Sequence, residues 1–172
     1  MPFPLPSRRH IPGSGSEPDR PPLDRVKAGT PRSIRAEIWR EVPAYLYGVE
    51  LYANGYFWEA HEVWEPVWLA TRPSSRERHL MVALIQLANA CLKLEMGQRN
   101  ATLRLLQEVA DRLADCAAGA RDTLMGIDIE GLSGRVRTFA EAVRDSGLPA
   151  GALVEARPAL QLADAPGSTG NG

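Results

Sequence analysis

Residues 76–96, RERHLMVALIQLANACLKLEM, contain neither proline nor glycine and repeat their apolar side chains at helical spacing. A helix that is apolar on most of its faces has to bury more than one side against neighbours. That requirement favours a bundle. Ser74 with Glu77 supplies a capping box in front of this stretch, and Gly97 ends it. The flanking segments read the same way. Ser33 caps IRAEIWREV, Pro43 fits the first turn of PAYLYGVELYA, and Asn54-Gly55 closes it. Asn100 caps ATLRLLQEVADRLADCA, and Asp128 caps IEGLSGRVRTFAEAVRDS, which stops at Gly147. No segment sustains a period-two alternation of β-branched residues, and the loops are short. The expected fold is all-α: a small antiparallel helical bundle of about five helices.

Eight of the fourteen prolines precede residue 32, interleaved with Gly, Ser and charge. Such a stretch buries too little apolar surface to offset chain entropy. Residues 1–32 are therefore expected to be extended or disordered unless draped on the core, 33–148 to form the helical domain, and 149–172 to be a short tail. Neither end is where chemistry is expected. With 20 basic against 21 acidic residues the net charge is −1, which provides no general field for nucleic acid or an anionic membrane. No apolar run approaches the roughly 20 residues of a membrane span, and the first residues lack the apolar stretch of a secretory signal. Cys91 and Cys116 lie far apart in helix-like segments with no Cys-x-x-Cys pair. The expectation is a soluble cytoplasmic protein with no nucleic-acid or membrane partner.

The chemistry-bearing stretch is residues 54–68, NGYFWEAHEVWEPVW. On a helix His61, Glu65 and Trp68 share one face, with Phe57, Trp58 and Trp64 flanking it. Glu59 and Glu62 point more nearly the other way. The aromatic face is expected to be the buried one, so Glu65 must be protonated, paired or bound to a cation. Three readings follow, in this order: a structural His61–Glu65 hydrogen bond, a divalent metal with His61 and Glu65 as two of its ligands, and an acid–base couple. Pro66 cannot donate to the Glu62 carbonyl, and a kink beside Glu65 is expected.

A second polar stripe, His79, Gln86 and Lys93 with Asn89, runs along the long helix. It is either the solvent side of that helix or the facing half of the site. In the second case Gln86 satisfies the His–Glu pair and Lys93 reaches the carboxylate.

NGYFWEAHEVWEPVW, LIQLANA, LRLLQEVADRL and GIDIEGL together resemble the bacterial and archaeal family called domain of unknown function 309, over roughly residues 43–140. Its hallmark, a His, three residues, a Glu, two residues and an aromatic, is matched by His61, Glu65 and Trp68. The Pro-Gly-rich preamble RRHIPGSGSEP looks like what precedes the domain in some members. The resemblance implies an all-α fold and a suggested metal role for the His and Glu. Lys93 stands where members commonly carry a His, and a protonated lysine offers no lone pair to a cation.

Spacing excludes the sharper metal motifs. HEVWE lacks the second His of a zincin, and no second Glu/His helix pair completes a di-iron bundle. The working expectation is a semi-buried polar site of His61 and Glu65 with Trp68, Gln86 and Lys93, flanked by Trp58, Glu62, Trp64 and Asn89. It serves as a structural network, a divalent-metal site or a small-ligand pocket. The competing expectation is an interaction module, in which Trp58, Trp64 and Trp68 grip a partner or a second copy of the chain. Burial of the tryptophans separates the two.

Overall fold

The computed structural model describes residues 3–117 and 123–164. Helix α1 spans Arg20–Ala28, a 3₁₀ turn Ala36–Glu41, α2 Pro43–Ala53, α3 Phe57–Ala70, α4 Arg76–Glu95 and α5 Arg99–Cys116. A hairpin of β1 (Thr123–Leu124) and β2 (Ile127–Asp128) leads into α6 (Ile129–Asp145), and α7 covers Ala150–Glu155. The fold is all-α apart from that hairpin. From α2 to α6 each helix packs on the next, and α4 also receives α7. The periodicity of α4 anticipates this central place, since its buried residues, among them Leu80, Met81, Leu84, Leu87, Cys91 and Leu94, face several directions. Among the described residues no helix is long and apolar enough to cross a membrane.

Local signals set most helix ends. Pro43 opens α2, where a missing N–H costs nothing, and Gly55 follows its end at φ 83°. The Asp128 carboxylate accepts from the Gly131 amide at 3.0 Å and caps α6. Elsewhere the caps differ from expectation. Ser74 sits at φ 62°, outside the extended geometry an N-cap needs, so Ser75 caps α4 and accepts from the Arg78 amide at 3.1 Å. Helix α5 starts at Arg99 with no side-chain cap, which leaves Asn100 inside the first turn. The segment after Ser33 is a 3₁₀ turn rather than an α-helix. Helix α3 continues through Pro66 to Ala70.

The stretch expected to be irregular at the N-terminus contains α1, whose Leu23 and Val26 join the common core. Residues 3–19 contain no helix and form an arm over α2 and α3. Towards the C-terminus Leu153 and Val154 of α7 are also buried in the core. Of the tail, residues 165–172 lie outside the described residues.

Two contacts bring the central helices close. Gly48 on α2 lies directly under the Trp64 indole of α3, whose Nε1 donates to the Tyr45 carbonyl at 3.1 Å. The hairpin turn puts both Met125 and Gly126 at positive φ, and a Cβ on Gly126 would lie 2.7 Å from the Trp39 ring.

Candidate functional site

The buried face of α3 is Phe57, Ala60, Val63, Trp64 and Val67, an uninterrupted apolar stripe at helical spacing, with Glu59 buried beside it. His61, Glu65 and Trp68 flank that stripe. The expectation that their face is the interior one is corrected. The Glu65 side chain is 47% exposed and that of His61 23%. Trp58 and Trp68 are large enough to stay half-buried at the edge of the stripe, which makes the edge look like the centre in sequence.

His61 and Glu65 do meet. Their Nε2 and Oε1 atoms are 3.1 Å apart, one helical turn along α3. On its other side His61 Nδ1 is 4.0 Å from Glu62, whose second oxygen accepts from Lys27 of α1 at 2.7 Å. The result is a short line of polar side chains, Lys27, Glu62, His61 and Glu65, between α1 and α3. Glu65→Gln is expected to change unfolding free energy by less than about 1 kcal/mol, because pairs open to solvent contribute little. Chemical denaturation measures this. A loss several times larger would favour the structural reading of the pair, and stoichiometric metal that disappears with the substitution would favour the metal reading. Among the described residues no group of three or more His, Cys, Asp or Glu side chains is placed to surround an ion.

The remaining residues of the expected site belong elsewhere. Gln86 donates to Glu108 of α5 at 2.9 Å and accepts from Asn89 at 3.1 Å, so its amide serves the α4–α5 surface. His79 on the same stripe lies 3.1 Å from Arg112. Arg9 bonds both Gly55, just before α3, and Glu95, at the end of α4, so these helices run antiparallel with their opposite ends level. Among the described residues Lys93 makes no hydrogen bond or ion pair with His61 or Glu65, whose bond is to each other. Trp64 is fully buried, and the Trp68 ring lies under Arg78 at 5.0 Å with its Nε1 buried and unpaired among the described residues.

The carboxylate that is truly interior is Glu59, 1% exposed. The arm covers it. Both of its oxygens lie 3.2 Å from the His10 amide nitrogen, which donates to them. Burial pushes its carboxyl up to about 7, against the relief given by the His10 N–H and the nearby Arg9 guanidinium, and Glu95 adds to the rise. Sequence spacing missed Glu59 because its shield comes from residues 49 positions away.

The arm itself is held at regular intervals. Tyr47 donates to the Pro4 carbonyl at 2.7 Å and Tyr56 to the Pro6 carbonyl at 3.2 Å. Phe3 leans on Tyr47 with ring centroids 5.6 Å apart. Arg9 donates to the Gly55 carbonyl at 2.9 Å and pairs with Glu95 at 2.7 Å. The His10 ring meets Trp58 edge-on at 4.7 Å, and Arg20 covers the same indole at 5.6 Å. Asp19 accepts from the Ser7 amide at 2.8 Å, which closes the arm into a loop and holds the Asp19 carboxyl below its usual range. The other two tyrosines act alike, Tyr52 on the Pro158 carbonyl and Tyr45 on that of Met125, both at 2.7 Å. Burial pushes the Tyr47 phenol up to about 12, aided by nearby carboxylates, so it stays a neutral donor.

Residues 45–105 match the family model described as a domain of unknown function (DUF309). No curated protein and no solved structure matches the chain.

Proposed function

We propose that the chain, whose residues 45–105 match the family model described as a domain of unknown function (DUF309), is a non-catalytic binding module whose tyrosines, with Trp58, hold extended polypeptide. One observation carries this reading. All four tyrosine hydroxyls donate to backbone carbonyls of non-helical segments far away in sequence, and two of them hold the proline arm. Irregular backbone needs outside partners for its polar groups, and a phenol supplies one from a rigid ring with little side-chain entropy to lose. The tryptophans serve the same architecture: Trp64 is core, while Trp58 takes the His10 ring.

The thiols fit a non-catalytic role, since burial pushes both Cys91 and Cys116 up to about 12, far from the thiolate a nucleophile needs. The His61–Glu65 pair belongs in this reading to the α1–α3 surface, as a polar rim.

Limited trypsin digestion tests the grip at the Arg9–His10 bond. The unaltered chain is expected to resist cleavage there. Tyr47→Phe with Tyr56→Phe should speed it about tenfold through the loss of two hydrogen bonds, with the thermal transition of the bundle retained. Cleavage of the unaltered chain at the rate of a free peptide would sink the proposal.

A further inference from the structure

We infer that the α2–α3 groove is a receptor for a proline-containing extended peptide of the pattern apolar-Pro-x-Pro-x-x-Arg, and that the chain's own arm occupies it as a competing ligand. This inference rests on the binding-module reading above and adds the ligand's chemistry.

The groove reads its occupant in three ways. Two phenol hydroxyls and the Glu59 carboxylate engage backbone groups, the Pro4 and Pro6 carbonyls and the His10 N–H, so they select any segment that arrives extended with its polar backbone unpaired. Prolines pre-set that shape. Each fixes its own φ and pushes the residue before it away from helical geometry, which lowers the entropy lost on docking. At the groove's far end Glu95 and the Gly55 carbonyl ask for a cation, which Arg9 provides through Nη1 alone and a neutral residue would not. Phe3 against Tyr47 and the buried Pro6 give the apolar part. This combination is the aromatic, hydroxyl-lined surface with an acidic end that suits proline-rich segments.

The arm is built to leave. Pro4, Leu5, Ser7, Arg8 and Arg9 are exposed, so few apolar contacts hold it. Behind it Gly13 and Gly15 sit at positive φ in the exposed run Gly13–Ser16, and release of residues 3–10 breaks the bonds of Ser7 to Asp19, Arg8 to the Glu17 carbonyl and His10 to the Ser16 carbonyl. Tethering makes the arm a strong competitor, because a short flexible connection corresponds to an effective concentration of about millimolar. A free peptide should therefore bind well only when the arm is weakened.

The probe is a labelled peptide of residues 3–12, FPLPSRRHIP, titrated by fluorescence anisotropy against the full chain. Arg9→Glu in the chain sets a negative charge opposite Glu95 and Glu59 and should lift the arm; the exposure of Arg9 leaves the bundle intact, which a thermal melt checks. Peptide affinity is expected to rise about tenfold or more in this variant. Adding Tyr47→Phe and Tyr56→Phe should take away about tenfold, and a peptide with Pro4 and Pro6 changed to alanine should bind more weakly. Pro4→Gly with Pro6→Gly in the chain is a second way to lift the arm and should have the same effect as Arg9→Glu. If trypsin shows the arm lifted, read at the Arg9–His10 bond in the Pro4→Gly, Pro6→Gly chain and at Arg8 in the Arg9→Glu chain, and the peptide still fails to bind, the receptor inference is overturned while the binding-module reading stands. Binding indifferent to Tyr47 and Tyr56 overturns it as well. An arm unprotected from trypsin in the unaltered chain removes the underlying reading instead.

Discussion

Gly48→Ala is expected to lower unfolding free energy by about 2–3 kcal/mol, although alanine is the better helix former by about 1 kcal/mol. The reason is steric. A Cβ at this position would lie 2.5 Å from Cδ1 of Trp64 and nearer still to Nε1. The indole cannot retreat, since it is fully buried and tied by its N–H to the Tyr45 carbonyl. Either α2 and α3 separate or the ring leaves its rotamer, and both disturb a core packed to near-crystalline density. Trp64→Phe makes the check specific. On its own it should destabilise, through a cavity and a lost hydrogen bond. In the Gly48→Ala background it should cost far less, because the smaller ring makes room for the methyl group. A double-mutant cycle by chemical denaturation reads the coupling. Strictly additive losses would mean that the two residues are not in the contact described.

Glu59→Gln is expected to flatten the dependence of stability on pH between about 4.5 and 7. Burial raises this carboxyl from 4.5 to about 7, so the folded protein holds the proton more tightly than the unfolded chain does. The stabilisation from this proton is complete below about pH 4.5, declines as pH rises through 7, and is gone above it. The span corresponds to an effect on the order of 1–3 kcal/mol. Because the glutamine amide brings N–H groups that the site does not require, the slope is the readout rather than the value at one pH. Subtracting the variant's curve from the parent's removes every group common to both. Parallel curves would show that Glu59 does not take up a proton in this range. The same substitution should leave the arm docked, as the glutamine oxygen can still accept from the His10 amide.

Helix existence was readable because it depends on neighbours three and four apart. The apolar period of residues 76–96, Pro43 at the start of α2, Gly55 after it and the Asp128 cap all act within one or two turns. The cap of α4 was missed by one residue, since the left-handed backbone at Ser74 follows from the turn before it rather than from the serine itself. The inner face of α3 was misjudged for another reason. Tryptophans at 58 and 68 weigh heavily in any pattern of hydrophobicity, yet a ring of that size can lie half-buried at a border while small Ala60 occupies the interior.

By itself, then, the sequence determined an all-α fold, the order of α2 to α6 and the family resemblance, all carried by local spacing and composition. Tertiary structure decided which carboxylate is buried and what holds the proline arm. Glu59 is interior because a segment 49 residues away lies over it, and the arm is ordered because Tyr47 of α2 and Tyr56 just before α3 reach its carbonyls. A segment without periodicity carries no mark of where it docks, since its partners are chosen by distance in space and by unpaired polar groups rather than by position along the chain.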